Sequence, residues 1–365
     1  MRKLLMSALA FAPLMPPAMG FTAREVSAQI GDGVELSAFV DFYYAYAFNK
    51  TDPSLRSFDV LHNAFSMSLA EVALEKAASQ ESRVGGRIDL DFGPTADLVA
   101  SFEPAGGTEV FKHVQQAYLS VLAGESLTLD FGKFVTPHGA EVIESQGNWN
   151  YTRSILFGYA IPFYHAGVRA TVAASDQVSL SGFLVNGWNN TTETNADKTF
   201  AGSVALTPND QVTWFATFMA GKEADNDGDG EEDLRWLFDT TVSFAATDMV
   251  TLMANFDYGK DANYIATGED ATWWGIAAYL RLQAQENWAL AGRYEYVNDS
   301  EGGWMTIGEK AQSFTLTSDH MLDELIARVE FRMDIAESDD FFTKDDGSGT
   351  SNQPSLIVGM VVPLG

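Results

Sequence analysis

The stretch from Ser126 to Val172, SLTLDFGKFVTPHGAEVIESQGNWNYTRSILFGYAIPFYHAGVRATV, decides the fold. Leu127, Leu129 and Phe131 alternate with Thr128, Asp130 and Gly132, which is the period of a strand with one apolar and one wet face. Val168, Ala170 and Val172 alternate with Gly167, Arg169 and Thr171 in the same way. Between these strands, Thr136 to Pro162 shows no such period, and connections that long inside a compact domain are usually functional. A water-filled pore gives a long polar insertion an obvious place, because the insertion can fold into the lumen and narrow it.

The same alternation extends in both directions. From Val34 to Phe48 the apolar set Val34, Leu36, Ala38, Val40, Phe42, Tyr44, Tyr46 and Phe48 opposes Glu35, Ser37, Asp41 and Tyr43. In water the first set would enter a core, whereas in a barrel it faces lipid and the second set faces the pore. Further strands are expected near 64–77, 83–92, 110–122, 126–135, 163–173, 178–186, 198–206, 210–220, 233–244, 249–258, 271–283, 288–297, 311–317, 323–334 and 355–362, sixteen with the first. The phase slips between Phe65, Met67, Leu69 and Val72, Leu74, the mark of a bulge or of a misplaced strand boundary. Pro363 suggests that pairing has stopped before the end of the chain, since proline cannot donate to a ladder.

Connections choose between soluble and membrane forms. Short links near 78–82, 123–125, 174–177, 207–209, 245–248, 284–287 and 318–322 alternate strictly with long ones near 49–63, 93–109, 136–162, 187–197, 221–232, 259–270, 298–310 and 335–354. Tight periplasmic turns and extended outer loops produce this pattern in outer-membrane barrels, and a soluble sandwich has no reason to sort loop length by face. The expected fold is therefore all-β: one transmembrane antiparallel β-barrel over residues 34–365, about sixteen strands, with the long third loop folding into the lumen.

Asp130–Ser145 (DFGKFVTPHGAEVIES), Asn148–Thr171 (NWNYTRSILFGYAIPFYHAGVRAT) and Val185–Asn190 (VNGWNN) also resemble an outer-membrane β-barrel porin family described as OmpL-like. The resemblance continues through VDFYYAYAFN at Val40–Asn49, HNAFS at His62–Ser66 and ATWWGIAAY at Ala271–Tyr279. It implies an outer-membrane diffusion pore with no catalytic residues. Barrels of this kind usually end on an aromatic residue read by the barrel assembly machinery, and this chain ends Pro363, Leu364, Gly365.

Met1 to Gly20 reads as an export signal, with Arg2 and Lys3 as the positive end, Leu4 to Met15 as the apolar core and Ala18 and Gly20 before the cut; a second cut site follows Ala28. Prolines 13, 16 and 17 argue against an anchor, and no later segment is apolar enough for a membrane helix. The absence of cysteine suits an oxidising periplasm crossed without disulfides. A net charge of -28 repels nucleic acid and attracts cations, and the acid is concentrated between strands. Outer-membrane lipid and lipopolysaccharide would surround such a barrel. Sixteen strands and a long third loop are compatible with a homotrimer.

Aromatics fall near strand ends, as membrane-interface girdles require: Tyr44, Tyr46, Phe48, Phe256, Tyr258, Tyr294 and Tyr296 at the outer rim, Trp288 at the inner one. On the opposite phase stand Arg87, Asp89, Asp91, Arg169, Asp239, Asn255, Asp257, Arg281, Arg293, Glu295, Arg328, Glu330, Arg332 and Asp334. A basic residue facing lipid at the midplane would cost about 2–4 kcal/mol, so these point inward. Arginines on the wall then form a ladder, with Glu141 and Glu144 of the third loop opposing it across a narrow gap and setting up a transverse field. The plainer alternative is that these charges only solvate a wet interior.

Asp225, Asp227, Asp229 and Gly230 match the front of a calcium loop. Trp236 stands where the bidentate glutamate belongs and Glu232 where an apolar residue belongs, so the choice is between a calcium site in an outer loop and a solvated acidic tip. No other cofactor is suggested. Histidines 62, 113, 138, 165 and 320 lack ligand spacing, and there is no phosphate loop, GxSxG or cysteine nucleophile. Three readings result: a porin for passive diffusion of ions and small hydrophilic solutes; a channel specific for a sugar, phosphate or acidic oligosaccharide with Trp149, Tyr151 and Arg153 as binding track; or a non-conducting barrel that binds a partner or hydrolyses a substrate.

Overall fold

The computed structural model describes residues 27–31, 33–103, 111–265 and 267–364; the export signal lies outside them. A short strand, β1 (Ser27–Gly31), precedes β2 (Val34–Ala47), β3 (Ala64–Lys76), β4 (Val84–Phe92), β5 (Val114–Leu122), β6 (Leu127–Val135), β7 (Tyr164–Ser175) and β8 (Val178–Val185). There follow β9 (Thr199–Asn209), β10 (Val212–Ala224), β11 (Asp233–Ala245), β12 (Val250–Asp261), β13 (Ala271–Gln285), β14 (Trp288–Glu301), β15 (Lys310–Leu322) and β16 (Leu325–Ala336). A two-residue hairpin, β17 (Phe342–Thr343) and β18 (Gly349–Thr350), sits in the last long loop before β19 (Asn352–Leu364).

Strands β2 to β16 pair antiparallel with their sequence neighbours, and β19 joins β16 on one edge and β2 on the other. These sixteen strands close, which leaves no sheet edge and satisfies the backbone without water, as the hydrocarbon layer demands. Lipid-facing residues are apolar and exposed, among them Phe65, Phe131, Phe200 and Leu316, while the facing phase carries buried charges such as Arg281, Arg328 and Arg332. Leu316 sits mid-strand between Gly292 and Phe331. Leu316→Arg is therefore expected to lose about 2–4 kcal/mol in urea unfolding of the lipid-reconstituted barrel.

All sixteen expected strands are present, with ends moved by a few residues. The links 77–83, 123–126, 176–177, 210–211, 246–249, 286–287 and 323–324 alternate with the longer 48–63, 93–113, 136–163, 186–198, 225–232, 262–270, 302–309 and 337–351. Asp41 faces Leu69 while Phe42 faces Met67, so Ser68 is the bulged residue behind the phase slip in β3. Its hydroxyl bonds Thr95 at 3.0 Å, in a helix α1 (Pro94–Ser101) that hydrophobic periodicity did not reveal in the second long loop. Proline at the first helical position and Asp97 in the first turn favour that helix.

The end of the chain corrects one expectation. Pairing runs through Pro363↔Phe39 to Leu364↔Ala38. The β16 register has already ended at Ile326↔Val361, so Pro363 has a strand on one side only, where a missing N–H is tolerated. Beyond Ala38, β1 takes over, pairing with Val34 to Ser37.

Aromatic pairs band the loop end of the outer surface: Tyr44–Phe65, Trp236–Tyr258, Trp274–Tyr296 and Tyr294–Phe314, with ring centroids 4.8 to 5.4 Å apart. Trp288, beside His320, and Trp214 lie at the turn end.

Candidate functional site

The third loop, residues 136–163, lies inside the barrel. Thr136 N donates to Phe163 O at 2.9 Å and closes its neck, and most residues beyond are buried. An irregular segment shut away from bulk water must find partners for its backbone groups. The wall of β14–β16, β19 and β2 supplies them from side chains.

Guanidiniums take the carbonyls and carboxylates take the amides. Arg293 donates to Thr152 O at 2.6 Å, Arg332 to Arg153 O at 2.6 Å and Arg328 to Ser145 O at 2.5 Å. Tyr151 N and Thr152 N donate to Glu330 at 2.6 and 3.1 Å, and Ile155 N to Glu295 at 2.6 Å. Asn150 donates to Thr317 at 2.7 Å, and the hydroxyls of Ser145 and Tyr151 donate to Asp41 at 2.7 and 2.9 Å. Alternating Arg and Glu along β14 and β16 is thus a template for an irregular backbone. Past Ile155 the loop turns apolar: Leu156, Phe157, Ala160 and Ile161 pack with Leu55 and Phe58 of the first long loop and with Trp273 of β13.

Each sequence-predicted residue has a definite place. Arg281 and Arg328 share Asp319 at 3.1 and 3.2 Å; Arg293 bridges Glu295 at 2.9 Å; Arg332 bridges Asp334 at 2.7 Å. Across the lumen Arg169 pairs with Asp130 at 2.8 Å, beneath the rings of Tyr118 and Phe134, and Arg87 pairs with Asp89 and Glu75. Two expectations are corrected. Glu141 does not oppose the arginines across a gap but touches Arg293 at 2.7 Å and accepts Ser154 N at 2.6 Å, because a buried guanidinium holding two loop carbonyls needs a countercharge. Arg153 is not free for a solute: it donates to the carbonyls of Val142, Ile143 and Tyr151, so it braces its own loop, while Trp149 and Tyr151 are buried against Tyr279 and Tyr43.

Glu144 points the other way. Its Oε1 accepts Gln115 Nε2 at 2.6 Å, on the wall that carries Glu71, Asp89 and Asp91. Farther round, towards the turn end, the inward positions Thr171, Ala173, Ser179, Ser181 and Ser203 of β7 to β9 are small, while the larger inward Arg169, Phe183 and Met219 are buried. The third loop also reaches β10, through His138 Nδ1 and Thr217 Oγ1 at 2.5 Å, and β13, where Trp273 Nε1 donates to Ala160 O at 3.0 Å. Burial, with His165 beside it, holds the His138 imidazole well below its usual range, so the ring is neutral.

Sequence reading missed Arg56, which sits in the aperiodic first long loop. Its buried side chain bridges Asp334 at 3.0 Å and donates to Ser355 at 2.7 Å. It also missed an aromatic cluster at the loop end. Trp273 and Trp304 stack at 3.8 Å, with Trp188 edge-on and Arg235 alongside; the three tryptophans come from separate segments, and only the fold unites them. Asp225, Asp227 and Asp229 do converge, with oxygens within 4.8 Å, exposed on a long loop. Four of those oxygens accept backbone N–H groups of the same loop.

Solved structures share the architecture. The outer-membrane channel DcaP of Acinetobacter baumannii superposes at a TM-score of 0.59, with 15% identity over 90% of this chain and 96% of that one. The trimer form of OmpT from Vibrio cholerae gives 0.60, with 11% identity, 91% of this chain and 99% of that one. An anion-selective porin from Comamonas acidovorans gives the same TM-score, identity and coverage. No curated protein matches the sequence. The family described as Putative beta-barrel porin-2, OmpL-like, matches residues 33–364, and the chain belongs to that bacterial outer-membrane porin family.

Proposed function

We propose that this porin is a non-enzymatic, water-filled channel through which ions and small hydrophilic solutes diffuse passively, with the third loop as a fixed partial plug. The observation that supports this reading is the fastening of residues 145–155 to the β14–β16 side of the lumen by Arg293, Glu295, Arg328, Glu330 and Arg332. Such a loop narrows the passage without being free to swing, and the inward side chains left at least partly exposed include the small Thr171, Ala173, Ser179, Ser181 and Ser203 of β7–β9. A solute-specific track through Trp149, Tyr151 and Arg153 is disfavoured, since Arg153 braces its own loop and Trp149 and Tyr151 are buried against the barrel wall.

Export under the Met1–Gly20 signal precedes assembly in this reading. A cut after Ala28 would remove two residues of β1 and its pairing with Leu36 and Ser37. A homotrimer in lipid and lipopolysaccharide, inserted by the barrel assembly machinery, is the proposed assembled form. Refolded protein in a planar bilayer is expected to give stepwise, ohmic conductance. Sealed vesicles and a silent bilayer would remove the channel reading.

A further inference from the structure

We propose that Glu71, Asp91 and Glu144 form a cation station in the lumen, where a partly hydrated metal cation rests during passage. This rests on the diffusion reading above and adds the sign of the preferred ion.

Glu71 and Asp91 are register partners on β3 and β4, both inward and only 6% and 3% exposed. Neighbouring Asp89 is occupied, accepting Arg87 at 2.8 Å and Gln116 at 2.5 Å. The third loop delivers Glu144 to the same wall, where its Oε1 accepts Gln115 Nε2 at 2.6 Å. Among the described residues no basic side chain makes an ion pair with Glu71 or Asp91; Arg87 is bonded to Asp89 and Glu75, and the Lys133 ammonium lies 3.9 Å from the Tyr164 ring centroid. Glu71 Oε2 and Asp91 Oδ1 are buried and accept no hydrogen bond.

Buried carboxylates without donors are costly, and a bound cation removes the cost. An all-oxygen set selects hard cations. The three carboxylates are too far apart to chelate a bare ion: among the described residues, the trio that brings one carboxylate oxygen from each residue within 4.8 Å of the others is Asp225, Asp227 and Asp229, on the exposed loop. A hydrated K⁺ or Mg²⁺ is instead held by the field. On the facing wall Arg281, Arg293, Arg328 and Arg332 are each matched by carboxylates, so the arginine ladder presents little net positive charge to oppose this preference.

The test is the reversal potential of the full refolded chain in a KCl gradient, with Mg²⁺ then added. The wild type is expected to prefer K⁺ over Cl⁻ and to lose current to Mg²⁺. Glu71→Gln combined with Asp91→Asn is expected to keep stepwise conductance while losing most of the preference and the Mg²⁺ block. Glu144→Gln, a loop change that leaves the strands intact, gives a smaller loss and serves should the double variant not fold. No cation preference in the wild type, or one unchanged in the variants, overturns the station while leaving the channel reading in place. If no conductance steps appear, the channel reading falls, and calorimetry of the folded barrel with Mg²⁺ decides: saturable heat abolished by Glu144→Gln supports the station, and no heat in the wild type overturns it.

Discussion

Arg293→Met is expected to release the third loop from the wall and raise single-channel conductance, with noisy open levels replacing steady ones. Arg293 bridges Glu141 and Glu295 and donates to Thr152 O, so one side chain joins two carboxylates and the loop backbone. Methionine fills much of the volume but leaves both carboxylates buried without their cation. Breaking a buried pair by removing one partner costs about 3–5 kcal/mol, more than most single changes in a barrel of this kind. The cheapest relief is local: Glu141 can reach water if residues 140–155 leave the wall, whereas Glu295 is fixed on β14. Protease should then cut within the third loop while the strands stay resistant. Conductance equal to the wild type, with an uncut loop, would show that the remaining tethers at Glu330, Arg328 and Arg332 suffice.

How much of this was legible in the sequence follows from which interactions are periodic. Strands β2 to β16 and β19 were readable because lipid outside and charge inside impose a period of two that no neighbour can override. Inward Arg293, Glu295, Arg328, Glu330 and Arg332 were found by the same rule, but not their use. Whether an arginine faces water or a loop carbonyl depends on where residues 145–155 lie, and those residues have no period. Arg56 and helix α1 were hidden for that reason too. Glu144 and Glu141 look equivalent in the sequence, three residues apart, yet one faces Gln115 and the other Arg293, because the loop crosses the lumen between them.

Gly359→Val is expected to be the second severe change, and it tests the docking of the plug from the wall side. A Cβ at this inward position of β19 would stand 2.2 Å from Cδ2 of Tyr151. Tyr151 rests there in a notch shared with Tyr43, Ala45 and Ile357, its hydroxyl donating to Asp41 at 2.9 Å and its amide to Glu330 at 2.6 Å. The ring cannot retreat without giving up both bonds, and β19 cannot move without opening its ladders to β2 and β16. Overpacking of this kind costs about 1–3 kcal/mol, and here it falls on the contact that seats the loop. The decisive measurement is a double-mutant cycle in urea unfolding. Tyr151→Ala alone loses packing and the Asp41 bond, but in that background Gly359→Val should be nearly neutral, since the space it needs is vacant. Residues in contact couple by about 0.5–3 kcal/mol, whereas independent sites add. Strict additivity would mean that Tyr151 does not occupy the notch in the membrane, and that the third loop is held by its backbone contacts alone.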